Sequence, residues 1–294
     1  SINTFYDINP YKSINSSFSF SGRTKPYNNT EITYDTPSAM ATDTSVSSVD
    51  KTDRTMKLEW TKDYTKKFKN NEDRQLSLAL QIGGRINDGD TELITDEYWL
   101  NQNDEKVLEE TFQIDYVHPF GKTQTNVKNN QPNESTYGTR KYRKGKKSSN
   151  LSNGNKLEIG GKIINRNREI VYSDMLEGNY ISSEQFNYIQ IVSSSYISTE
   201  FNLNKGIGLK TGVRFENTQT KGDWLNNSET AFEKNYNNLM PNVTLSKSFS
   251  PMQSVKFSYN QRITRPSVKQ INTNTDKSNN RNILIGNPQL DPTI

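Results

Sequence analysis

The stretch DRQLSLALQIGG, Asp73–Gly84, decides the fold. Leu76, Leu78, Leu80 and Ile82 share one face of an extended chain there, and Gln75, Ser77, Ala79 and Gln81 share the other. Successive side chains of a strand point to opposite sides, so the stretch is a ribbon with one apolar and one polar face. About nine such period-two stretches run along the chain, most of them roughly ten residues long. A soluble sandwich uses ribbons of this kind. So does a transmembrane barrel, whose tilted strands need about 9–11 residues to cross the hydrocarbon layer.

Composition narrows the choice. The chain has 294 residues, is 30% hydrophobic and has a mean hydropathy of −0.93, too polar for an ordinary soluble core of this length. Disorder is disfavoured by 15 Tyr and 12 Phe. What fits is a sheet with a single apolar face and polar connections. The absence of Cys removes disulfides and thiolate metal sites. A net charge of +4 gives no reason to invoke nucleic acid. No apolar run is long enough for a spanning helix. Ser1–Pro10 lacks the basic start and apolar stretch of a signal peptide. The sequence stops at Pro292-Thr293-Ile294 without a concluding strand and is read as an internal segment of something longer.

Working outward from Leu76–Ile82, the preceding stretch Arg54–Phe68 sets Met56, Leu58, Trp60 and Tyr64 against Lys57, Glu59, Thr61 and Asp63. Asn70–Glu72 joins the two as a hairpin. Ser13–Arg23 precedes them, with Ile14, Phe18 and Phe20 among small polar residues. Leu108, Phe112, Ile114 and Tyr116 line one face of the next strand, and Lys156–Arg166 is a weaker one. Phe186–Leu203 turns at Asn204–Gly206 into Ile207, Leu209, Val213 and Phe215, opposite Lys210, Arg214 and Glu216. Val243, Leu245 and Phe249 follow, then Ser250–Met252, then Val255, Phe257, Tyr259 and Ile263 against Lys256, Ser258, Asn260 and Arg262.

Tight connections alternate with the polar segments Tyr27–Asp50, Asn87–Lys106, Asn167–Ser183 and Asn217–Asn238, read as long loops. In an up-and-down sheet every second connection lies at the same end. Short turns at one end and long segments at the other describe an outer-membrane barrel, whereas a Greek-key sandwich does not sort its loops this way. Tyr64, Phe68, Tyr116, Phe120, Phe201 and Phe249 fall near the short-turn ends, as an interfacial aromatic girdle requires. Aromatic preference for strands would place them there too. The expected fold is therefore all-β: an antiparallel up-and-down transmembrane β-barrel, incomplete and open, with about 9–10 strands present. The alternative is a secreted β-sandwich acting as a surface-binding module.

Several phrases resemble one family. GVRFENT at Gly212–Thr218, YNQRITRPS at Tyr259–Ser267 and GNPQLDP at Gly286–Pro292 look like successive signatures of the outer-membrane barrels of TonB-dependent receptor-like proteins common in Bacteroidetes. FQIDYVHPF at Phe112–Phe120 and KLEIGGK at Lys156–Lys162 resemble that family's paired strands. The residues carrying the resemblance are Gly212, Arg214, Glu216, Tyr259, Arg262, Arg265, Pro266, Gly286, Asn287 and Pro288, which read as structural. Pro266 ends ladder pairing, Arg265 lies at the rim beside a loop carboxylate, and Gly286-Asn287-Pro288 starts a turn. Contact of Arg262 or Arg265 with a ligand or plug is the functional alternative. The chain departs from the family in the insertion Gly121–Asn155, and the plug domain and final strands are absent from it.

The resemblance implies residues 1–294 as a partial outer-membrane barrel domain. It also implies outer-membrane lipid as surroundings, a plug domain of the same protein as lumen filler, and a TonB-type energising complex reached through that plug. The cargo would be a bulky nutrient the sequence does not identify, and the location the outer membrane of a Gram-negative cell. No cofactor is expected. The lone His118 makes neither metal site nor triad. Asp88, Asp90 and Glu92 fall short of a calcium loop, so Asp88-Gly89 reads as a turn. The basic run Arg140, Lys141, Arg143, Lys144, Lys146 and Lys147 reads as a solvated turn or an attraction to anionic lipid. Asn28 and Asn150 head sequons that composition alone explains. Enzymatic activity has no motif behind it.

Overall fold

The computed structural model describes residues 1–35, 43–94, 97–121, 154–225, 227–250, 252–273, 275–276 and 284–294. Ten antiparallel strands form one sheet in strict chain order. They are β1 (Ile2–Asn9), β2 (Lys12–Asp35), β3 (Asp43–Phe68), β4 (Asn71–Ile94), β5 (Tyr98–Phe120), β6 (Asn155–Leu176), β7 (Asn179–Leu203), β8 (Ile207–Trp224), β9 (Asn227–Ser250) and β10 (Gln253–Asn260). No pairing joins β1 to β10, so the sheet is open. Among the described residues there is no second layer for it to clasp, and the sandwich is excluded.

Register fixes the two faces, because directly paired residues point the same way. Leu78 pairs with both Tyr64 and Ile114, Ile197 with both Ile159 and Val213, and Leu245 with both Leu209 and Phe257. These rows make an apolar outer face that no described residue covers: Phe112 is 47% exposed, Ile163 51% and Phe257 68%. The opposite face is polar and much of it is covered, with Glu216 8% and Thr218 0% exposed. This burial is the reverse of a soluble protein's and is what a hydrocarbon surround demands. From Leu76 to Ile86 the apolar rows extend roughly 33 Å along the strand, or roughly 25 Å of bilayer at a tilt of about 40°. Glu110 interrupts the band opposite Ile82, and its carboxylate is met by the Asn165 Nδ2 at 3.2 Å.

Strands β2–β9 run from 18 residues in β8 to 26 in β3, far beyond what the band requires, while β1 and β10 have 8 each. The segments expected as long loops are mostly strand. β4 continues through Asp88 and Gly89 to Ile94, so that pair is no turn; Asp88 faces Asp104 across the ladder. Hairpins thus project from one end of the band, while the other end carries short turns at 69–70 and 204–206. At that short end Phe68 meets Tyr116 edge to face at 6.3 Å, and Phe120 meets Phe201 at 5.8 Å. Two further differences concern the ends of the sheet. β1 precedes the first expected strand, and β10 stops at Asn260, short of Arg262 and Ile263. Residues 122–153, with the basic run and Asn150, lie outside the described residues.

Candidate functional site: the inner face and its strap

Charged residues on the inner face form a ladder that crosses from strand to strand. Arg85 on β4 and Arg168 on β6 both bind Glu105 on β5, at 2.7 and 3.1 Å. Arg166 reaches Glu109 at 2.6 Å and donates to Gln190 Oε1 at 2.9 Å. Gln190 in turn donates to the Tyr188 hydroxyl at 2.9 Å. Arg214 Nε stands 3.1 Å from Glu216 Oε1, off the axis of a hydrogen bond, and its Nη2 meets Ser194 Oγ at 3.4 Å. Each carboxylate here is matched by a guanidinium, which offsets the cost of holding charge in a confined space.

After Gln261, whose amide makes a last bond to the Pro241 carbonyl, the chain leaves the sheet and folds back over this face. We refer to the described residues of this stretch, 261–273, 275–276 and 284–294, as the strap. Arg265 crosses to β8, where its guanidinium binds the Glu216 carboxylate and donates to Thr218 Oγ1 at 3.1 and 3.2 Å. Pro266 cannot continue a ladder. Ser267 then caps the one-turn helix α1 (Val268–Ile271), with Gln270 closing a capping box. The turn aims Val268 and Ile271 at Ile170, Phe186, Tyr188 and Trp224, the main buried apolar cluster among the described residues. Polar clamps surround it. Trp224 Nε1 donates to Thr273 Oγ1 at 2.9 Å, and Asn272 Nδ2 to the Tyr172 hydroxyl at 2.7 Å.

The returning arm of the strap is held by backbone bonds. Gly286 N donates to Asn272 O at 2.9 Å, and Asn287 N to Gln270 O at 2.7 Å. A Cβ on residue 286 would lie 2.0 Å from the Asn272 carbonyl oxygen, so only glycine fits. Asn287 Oδ1 accepts from Gln289 N, forming an Asx turn around Pro288. Lys234 of β9 anchors the arm through Asp291 and the Leu290 carbonyl, both at 3.0 Å. Thr264 and Thr293 exchange two backbone bonds, so the strap leaves and returns through one neck. Between strap and wall lies a cavity of about 670 Å³, bordered by Arg85, Asn103, Arg168, Tyr172, Gln270 and Asn287. Arg85 Nε and Asn103 Oδ1 are buried there without partners.

The residues singled out in the sequence thus divide into two groups. Arg214, Glu216 and Arg265 meet in one network, and Pro266 and Pro288 border the same small crevice as Arg265. Gly212 lies on the inner face of β8, in the row of Arg214. Gly286 and Asn287 dock on the Asn272 and Gln270 carbonyls. Tyr259 instead points outward, 55% exposed, and Arg262 is exposed just past the strand. Arg265 binds a strand carboxylate on the inner face, not a rim loop. The sequence reading missed the strap itself. Its signal was present as Ser267-x-x-Gln270 with the apolar residues Val268 and Ile271 three apart.

An open antiparallel sheet with an apolar outer face and a salt-bridged inner face is a section of transmembrane barrel wall. Residues 125–294, more than half of the chain, match the model of the outer membrane protein beta-barrel family, and the chain belongs to that family. It is an outer-membrane protein. Among solved structures it is similar to the alcaligin outer-membrane receptor FauA of Bordetella pertussis, at 14% identity and a TM-score of 0.48, covering 87% of this chain and 38% of that one. It is also similar to the ferric preacinetobactin receptor BauA of Acinetobacter baumannii, at 10% identity and 0.47, covering 87% and 41%. A third is the ferric citrate transporter FecA, at 8% identity and 0.46, covering 86% and 39%. The chain therefore spans about two fifths of the length of these structures. No curated protein matches it.

Proposed function

We propose that this chain is a partial barrel domain, residues 1–294, of a TonB-dependent receptor that takes up a bulky nutrient, and that it works as a passage wall and not as an enzyme. The observation that carries the reading is the inner face. Its charges are mixed in sign, and Arg85, Arg166 and Arg168 pair across strands with Glu105 and Glu109, which suits hydrated contact with a plug better than a charge-selective pore. A sheet of ten strands that does not close on itself needs further strands in hydrocarbon, and wide barrels of this kind hold a plug in the lumen. Gly212, Arg214, Glu216, Arg265, Pro266, Gly286, Asn287 and Pro288 serve in this reading to hold the strap against the wall, with Tyr259 and Arg262 marking the point of departure. Two of the structures named above are described as a ferric citrate transporter and a ferric preacinetobactin receptor, and a ferric chelate is one cargo to test.

The test is genetic. Loss of the gene and loss of the TonB-type energising complex should impair growth on the same nutrient, and the double loss should be no worse than either. A defect that adds to loss of the complex would overturn the proposal.

A further inference from the structure

The structure assigns an anionic phospholipid head-group site to the outer face at the short-turn end of β2–β4. This goes beyond the transport reading and does not depend on it. Lys12 of β2 sits directly opposite Lys66 of β3, on the same face as the apolar rows. Like charges placed opposite each other in a ladder repel. Among the described residues neither lysine, nor Arg74 of β4 beside them, has a carboxylate within ion-pair distance. Two of the three cations, Lys66 and Arg74, lie over aromatic rings. The Lys66 ammonium lies 5.1 Å from the Phe68 ring centroid. The Arg74 guanidinium lies 5.1 Å from Phe68 and 6.0 Å from Tyr116, and its Nε donates to the Tyr116 hydroxyl at 2.8 Å. That bond fixes the guanidinium in place while its two Nη groups keep their hydrogens for an outside acceptor.

The position selects the partner. Just inside the three cations, on the same face, Ile14, Tyr64, Leu76 and Leu78 begin the apolar band. The patch therefore lies at the boundary between acyl chains and water, where aromatic rings and basic side chains are at home. A ligand that accepts hydrogen bonds, carries negative charge and trails hydrocarbon fits all three features at once. A free phosphate would use the cations and leave the apolar seat empty. The like-charged Lys12–Lys66 pair becomes favourable when one phosphodiester lies between them, and each basic residue near such a surface contributes about fivefold in affinity.

Native mass spectrometry of the complete barrel protein in detergent reads this directly, with dioleoyl phosphatidylglycerol, dioleoyl phosphatidylcholine or inorganic phosphate added. The wild type should retain phosphatidylglycerol in preference to phosphatidylcholine and retain no inorganic phosphate. Combined Lys12→Gln, Lys66→Gln and Arg74→Gln should weaken phosphatidylglycerol retention on the order of 100-fold, the product of three charges. Lys12→Glu alone replaces the repelling pair with an attracting one, so it folds at least as well and still loses the preference. Heat-modifiable migration confirms that each variant is a folded barrel. Equal retention of both lipids by the wild type, retention of inorganic phosphate in their place, or a preference surviving in folded variants would overturn the assignment.

Discussion

The Arg265 guanidinium closes on the Glu216 carboxylate and the Thr218 hydroxyl, joining the strap to β8 across 49 and 47 residues of chain. Glu216 and Thr218 are nearly sealed from solvent, so the strap's first contact with the wall is a desolvated ion pair and not a rim contact. Removing one partner of such a pair leaves the other charge uncompensated. Arg265→Ala is expected to destabilise the strap by about 2–3 kcal/mol, somewhat less than a fully buried pair would lose. Arg265→Lys should recover only part of this, because a point charge cannot serve a carboxylate and a hydroxyl together. Hydrogen exchange at 264–273 in the folded barrel measures the loss. Unchanged protection would show that the apolar cluster alone holds the strap.

Gly286 offers an independent test at the other arm. The Asn272 carbonyl occupies the space a Cβ would need. Gly286→Ala should therefore push the returning arm off α1 and cost about 1–3 kcal/mol, the usual range for forced overpacking. Proteolysis of the folded barrel at 284–292 should speed up accordingly, while the sheet itself stays intact. A variant as resistant as the wild type would mean that the arm shifts freely to make room.

These two arms also show what the sequence could and could not reveal. Leu76–Ile82 was legible because lipid meets one face and polar groups the other, which is the contrast that period-two reading detects. Asn87–Lys106 looked like a loop because above the band both faces of β4 and β5 meet polar surroundings and the alternation fades, although the ladder continues. β1 was missed since Phe5 and Tyr6 are adjacent and break the period. The meeting of Arg265 with Glu216 follows from tertiary docking between segments far apart in sequence, and no local pattern encodes it. The phrases that carry the family resemblance were legible individually; that Arg214, Glu216, Arg265 and Gly286 belong to one docked assembly was not.

The assignment of faces predicts opposite outcomes for neighbouring substitutions. Ile114 points outward within the band and Gln113 points inward beside Asp115, with its Nε2 at 2.7 Å from that carboxylate. Ile114→Arg should destabilise the folded barrel by about 2–4 kcal/mol in a bilayer, as charge on a lipid-facing position does. Gln113→Arg should change stability by less than about 0.5 kcal/mol. Urea titration of barrels folded into liposomes compares the two. Equal costs would contradict the membrane-facing role of the apolar rows.

Asp104 links pH to the projecting hairpin of β4 and β5. Partial burial holds its carboxyl above the usual range, the Asp88 and Asp90 charges push it further the same way, and Lys106 opposes them. Arg54 binds Asp90 at 2.9 Å but leaves Asp88 facing Asp104 directly. A carboxyl whose folded value is raised binds its proton more tightly in the folded state. Its favourable contribution is therefore complete below the ordinary value of 3.8 and is lost as pH rises through the raised one. At neutral pH the ionised Asp104 works against the hairpin, so Asp104→Asn should increase amide protection at 86–90 and 102–106. As pH falls through the carboxylate range the wild type should catch up with the variant, because protonation removes the same repulsion. Protection factors, corrected for intrinsic exchange at each pH, decide the matter: a gap between wild type and variant that stays constant with pH would mean that Asp104 is not the group that titrates.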